Sequence, residues 1–308
     1  MKKIFLNEQS IRFQKLANLI TESEYLSLLE DDAADQKVKD ILGASYPEFV
    51  QKLGDNIKDP KFVAAIEKFS KENPVQTSDK NVPVTELQPT QNEIDVNKSL
   101  IYPLTNPKSA SELLKGGDVA IARKKIVTAG GGKFIIDGHH RWSQAYVINP
   151  EISIAALDIT NIDDGIDGLK ATQMGIAASI KKVPTASVKG SNLLKMGENE
   201  LKAYVKDTIT KEVMKEFVKA GKVKVNSNKD ADNLSDKNLN QVANYIWNNV
   251  KKMQGSNKPV DGAPKRDIMP QTDDAPKWKD KAPALESYKK IDGLLAELVK
   301  KSTIKNKK

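Results

Sequence analysis

The stretch K-F-I-I-D-G-H-H-R-W, Lys133 to Trp142, holds the only two histidines of a 308-residue chain, side by side. Phe134-Ile135-Ile136 is a short aromatic and β-branched run entered from Gly130-Gly131-Gly132, the pattern of a buried strand leaving a turn. Asp137-Gly138 breaks it. Apolar residues then fall at Trp142, Ala145, Tyr146 and Ile148, one face of a short helix that stops near Asn149-Pro150. The segment reads strand, tight turn, helix, with His139, His140 and Arg141 in the first helical turn. Free backbone N–H groups and the positive end of the helix dipole lie there. Imidazole donors and a guanidinium fork added to them make a cradle for phosphate oxygens, and Gly138 lets the backbone approach closely. Structural roles compete with that one, because a His-His pair also caps helices and packs in cores. Neighbouring helical residues point about 100° apart, so the pair grips one metal ion poorly.

I-I-D-G-H-H-R-W-S-Q-A-Y-V-I resembles the signature box of the ParB/sulfiredoxin superfamily, the ParB-like nuclease domains, in which a strand ends in a G-x-H-R or G-E-R-R turn that binds nucleotide phosphates. Upstream, N-V-P-V-T-E-L-Q-P-T-Q-N-E-I-D-V-N-K-S-L, Asn81 to Leu100, resembles the family's opening strand, proline turn and first helix. Downstream, E-I-S-I-A-A-L-D-I-T, Glu151 to Thr160, resembles its closing strand. The resemblance implies phosphate contacts at Lys98, Ser99, Gly138, His139, His140 and Arg141. It also implies a magnesium ion arriving with the nucleotide, and an acidic residue acting beside it. Glu93, Asp95 and Asp137 are the carboxylates on hand, with His140 as an acid or base. Asp137 serves equally well as a brace for its turn.

The departures limit the chemistry. Sulfiredoxin needs a cysteine immediately before its histidine; His139 stands at that position and the chain has no cysteine, so sulfinic acid reduction is excluded. The partitioning proteins carry G-E-R-R and a helix-turn-helix behind it, and neither is read here. The leading expectation is therefore nucleotide binding with NTP hydrolysis or phosphotransfer. The alternatives are a ParB-like metal-dependent DNA nuclease and a non-enzymatic virion or cargo protein.

Composition sets the outer bounds. The chain carries 49 basic and 41 acidic residues, net +8, yet only Arg12, Arg123, Arg141 and Arg266 are arginine. Base-edge recognition relies on arginine forks, so a lysine-dominated surface points to solvation or diffuse DNA affinity rather than sequence reading. No charged-then-apolar leader or membrane-length apolar run is read, and the expectation is a soluble protein of a bacterial host cytoplasm without a membrane partner. I-R-F-Q-K-L-A-N-L-I-T-E-S-E-Y, Ile11 to Tyr25, resembles a leader-like helix of phage and environmental viral proteins. That adds phage structural proteins as partners and packaging in a virion as a second location.

The expected fold class is α+β: a small mixed-sheet ParB/sulfiredoxin-like domain over residues 81–180, flanked by helical regions. Residues 1–80 are read as helices plus a polar linker from Asn73 to Val82, and residues 181–254 as helical. One amphipathic helix is expected from Glu198 to Ala220, and Ser235 caps another through Met253. From Gly255 to Pro283 there are five prolines and no periodicity. This segment is read as an extended strap anchored by Ile268, Met269 and Trp278, with Arg266 able to reach an acidic site or a phosphate. A last helix is expected from Leu285 to Val299.

Overall fold

A computed structural model of the chain describes residues 22–72, 76–121, 125–183, 190–227 and 230–269. Residues 11–21 of the leader-like stretch, the Trp278 anchor and the Leu285–Val299 helix lie outside them. The fold is α+β, as expected, with ten α-helices and a six-stranded mixed sheet among the described residues.

The strands are β1 (Thr77–Pro83), β2 (Gln88–Pro89), β3 (Asp118–Val119), β4 (Ile126–Ala129), β5 (Phe134–Asp137) and β6 (Ser153–Ile159). Their order is β1-β6-β4-β5-β2, with β3 also on β6. The β1–β6 and β4–β5 pairs are antiparallel, and β6–β4 and β5–β2 are parallel. Strand β1 begins inside the stretch read as a linker. Thr77 to Asn81 are polar, so no apolar alternation announces the strand, yet every residue from Thr77 to Pro83 is in register with β6. At the end of the sheet order, one side of a strand is enough to satisfy its ladder, and little apolar surface is required.

Each face of the sheet is covered by helices. On one face Ile126, Ile135, Ile154 and Ala156 join a core with α4 (Val96–Thr105), α5 (Pro107–Lys115) and α6 (His139–Ile148). Outside these lie α8 (Glu198–Thr208), α9 (Lys211–Lys219) and α10 (Asp236–Ser256). The single helix expected over Glu198–Ala220 is two, because Thr210 caps α9 by accepting the Val213 N–H while Ile209 turns to extended backbone. The expected Ser235 cap is present, accepting the Asn238 N–H. On the other face Ala129 and Ile136, clustered with Ile159, meet α7 (Gly165–Ile180). Gly168 allows that contact: a Cβ there would sit 3.1 Å from Ile136 and 3.3 Å from Ala129.

Beyond α7, the helices α1 (Glu22–Gly43), α2 (Tyr46–Asn56) and α3 (Pro60–Glu72) form a second core. Tyr46, Phe49 and Leu53 repeat at helical spacing along α2 and pack with Phe62, Ile66, Leu169 and Met174. Met269, from the strap, is buried in this same core. No described helix is long and apolar enough to cross a membrane.

Candidate phosphate site

The strand–turn–helix expected at Lys133–Trp142 is present as β5, Gly138 and α6. Gly138 has φ 97° and ψ 22°, a left-handed conformation that a side chain resists. A Cβ at this position would lie 2.6 Å from Ile126 Cγ2 and 2.9 Å from Arg141 Nη2. Glycine is thus demanded twice, by backbone and by space. No side chain caps α6, so its first N–H groups are left facing the turn. The helix behind is fixed by its own residues. Trp142 is fully buried and donates its indole N–H to the Val84 carbonyl at 2.8 Å. Asn249 and Tyr245 of α10 donate to the Val147 and Ile148 carbonyls at the far end.

The two histidines divide one task. His139 Nε2 accepts the Thr90 N–H at 3.1 Å, and His140 Nε2 accepts the Asp95 N–H at 3.3 Å. Their divergent directions, unsuited to one metal ion, let them hold both ends of the loop Thr90–Asp95 against the start of α6. A ring nitrogen that accepts carries no proton, so both rings are neutral with the proton on Nδ1. Burial holds the His139 pKa down at about 3, helped by the positive charges of Arg266 and Arg141. Burial and then Arg266, Lys98, the neighbouring His139 and Arg141 hold that of His140 well below its ordinary value.

The carboxylates are each engaged. Asp95 caps α4 by accepting the Asn97 N–H at 2.8 Å. Asp137, mostly exposed, accepts from Arg141 Nη2 at 2.8 Å rather than bracing its own turn. Glu93 Oε2 accepts the backbone N–H of Arg266 at 2.9 Å. Ser99 is fully buried one turn inside α4; its hydroxyl donates to the Asp95 carbonyl and shares a hydrogen bond with Ser143. That hydroxyl is committed to joining α4 and α6. Lys98 is exposed at the start of α4, and its carbonyl accepts from Gln144 of α6 at 2.7 Å.

Thr90 and Asn192, which the sequence did not single out, complete the frame. Thr90 donates its hydroxyl to the Ile135 carbonyl at 2.6 Å, tying the loop to β5. Asn192 accepts the Ile94 N–H and donates to the Asn92 carbonyl. Neither carries a sequence signal, since their partners are main-chain groups. Arg266 is 4% exposed, and its Nη1 lies 3.5 Å from His140 Nε2. Lys98, Arg141 and Arg266 thus bring positive charge to one neutral ring from α4, α6 and the strap. Among the described residues no group of three His, Asp or Glu is placed to hold a metal. No family model, curated protein or solved structure matches the chain.

Proposed function

We propose that this chain is a ParB/sulfiredoxin-like protein that binds a phosphorylated ligand, a nucleotide with its magnesium ion, at the start of α6 and hydrolyses it or transfers its phosphoryl group. The supporting observation is that Arg266 Nη1 lies 3.5 Å from His140 Nε2, at an α6 N-terminus that no side chain caps, and that the charges of Lys98 and Arg141 also act on that ring. Backbone N–H groups, a helix dipole and guanidinium forks together favour phosphate oxygens. In this scheme Arg141 and Lys98 hold the phosphates. His139, His140 and Gly138 shape the turn, and Nδ1–H of His140 is the side-chain donor left to a ligand. Magnesium would come with the phosphates and take at most one carboxylate, Glu93 being the one the loop supplies. The setting that fits is a bacterial cytoplasm during infection by a phage, and the lysine-rich surface allows diffuse DNA contact.

A non-enzymatic docking protein is the second reading. It is favoured by the engagement of Glu93 by the strap, of Asp137 by Arg141 and of His140 by the Asp95 N–H. Phosphate release from each NTP, measured with magnesium on the wild type and on Glu93→Gln, separates the two. Release that the substitution abolishes supports an enzyme. Tight binding without release supports docking.

A further inference from the structure

The outer face of α4 carries apolar side chains into solvent. Ile101 and Tyr102 are 45% and 48% exposed, and they are the only large hydrophobic residues so exposed among the described residues. Exposed apolar side chains scattered singly are ordinary, whereas two neighbours bordering a cavity mark an interaction surface. The cavity, of about 440 Å³, lies between α5 and the stretch from Asp118 to Ile121, and Tyr102 forms one of its walls. Leu113 and Ile121, both buried, and the half-buried Val119 give it an apolar lining.

Lys108, Glu112 and Lys115 line the same cavity from α5, and all three are exposed. Spacings of four and three place them on one face of the helix, where a lysine and a glutamate ordinarily pair within the helix. Neither pair is closed: among the described residues these three side chains make no salt bridge. The face therefore presents positive, negative and positive charge along α5, beside an apolar centre on α4. An aromatic and aliphatic centre with a charged rim has the anatomy of a protein interface.

The charge order also indicates which chain fits. A two-fold contact joins the same patch of two copies, so that residue i meeting j implies j meeting i. With two α5 helices antiparallel across such an axis, Glu112 of each copy stands opposite a lysine of the other, and two ion pairs form at once. We infer that the α4–α5 face is a self-association surface, the two-fold interface of a homodimer with Ile101 and Tyr102 at its centre and Glu112 paired across it with Lys108 or Lys115. The inference stands without the phosphate reading. It adds to it that Lys98 lies one turn before Tyr102 on α4, so the interface would border the candidate sites of both copies.

Sedimentation velocity of the full chain over rising concentration tests this. The wild type should become dimeric, and Tyr102→Asp should remain a monomer at concentrations where the wild type is paired. Glu112→Lys makes the α5 face wholly positive, and Lys108→Glu with Lys115→Glu makes it wholly negative. Each of these variants alone should associate at least about tenfold more weakly than wild type, and an equimolar mixture of the two should recover association. Recovery on mixing requires that both variants are folded. A wild type that stays monomeric at the highest concentration reached overturns the inference and leaves the face to a different protein. So does a dimer that Tyr102→Asp and both charge variants leave intact, which would place the interface elsewhere. Weakening by Tyr102→Asp without recovery in the mixture overturns it as well, because the α5 charges would then not face one another.

Discussion

Arg266 stands 3.5 Å from His140 although 126 residues separate them. The same His140 nitrogen accepts the Asp95 N–H at 3.3 Å, so one ring ties together the strap, the start of α4 and the start of α6. Neutrality is the condition for this arrangement. A protonated ring would lose its acceptor and add a charge beside Arg266, Lys98 and Arg141.

That condition gives a pH dependence of stability. The folded pKa of His139 is about 3, below the ordinary 6.5, and that of His140 is shifted the same way. Between those values the unfolded chain binds protons that the folded chain refuses. Stability should therefore be fully present above pH 6.5 and fall as pH drops below it, by up to about 1.4 kcal/mol per pH unit for each histidine. Urea unfolding at pH 7, 6 and 5 measures this. The slope should be shallower in His139→Gln, and an unchanged slope would show that His139 titrates alike in both states.

Gly138→Ala should destabilise the protein by about 1–3 kcal/mol, from a left-handed backbone and overpacking together. The added methyl would stand 2.6 Å from Ile126 and 2.9 Å from Arg141, so its strain falls on the turn itself. Thermal unfolding reads the loss. An unchanged midpoint would mean that the turn relaxes freely.

The central motif was legible because each local signal agreed: three glycines enter the strand, Asp137-Gly138 ends it, and Trp142, Ala145 and Tyr146 share a helix face. The use made of the two histidines was not legible. Their partners are the backbone N–H groups of Thr90 and Asp95, and main-chain partners leave no trace in residue type. Strand β1 was hidden for a related reason, since its ladder to β6 carries polar side chains from Thr77 to Asn81. The break at Thr210 was masked because Leu201, Val205, Val213 and Phe217 are all buried and keep helical spacing through it. For Arg266, sequence suggested an acid or a phosphate as target; the path that brings it to His140 depends on bonds made by Asn257, Val260 and Asn92.

Asn257 is 1% exposed and spans two carbonyls, so Asn257→Ala leaves both without their donor. The cost should be about 1–3 kcal/mol locally. Trypsin should cut the variant faster than wild type after Lys265 and Arg266, read by mass spectrometry of the first fragments. Equal rates would show that the strap is held without this residue.

The central claim is a phosphate site built on the start of α6, and a thermal-shift panel of nucleotides with magnesium, run on wild type and Arg141→Ala, tests it most directly. Arg141 is the guanidinium carried by the turn itself, and its exchange with Asp137 is a partly exposed pair whose loss costs the fold little. Ligand at about 100 times Kd should stabilise the wild type by about 2.7 kcal/mol and raise its melting temperature. Arg141→Ala should melt close to the wild type without ligand and show little or no rise with it. A wild type that no nucleotide stabilises, or an Arg141→Ala variant that responds as fully as wild type, would contradict the account.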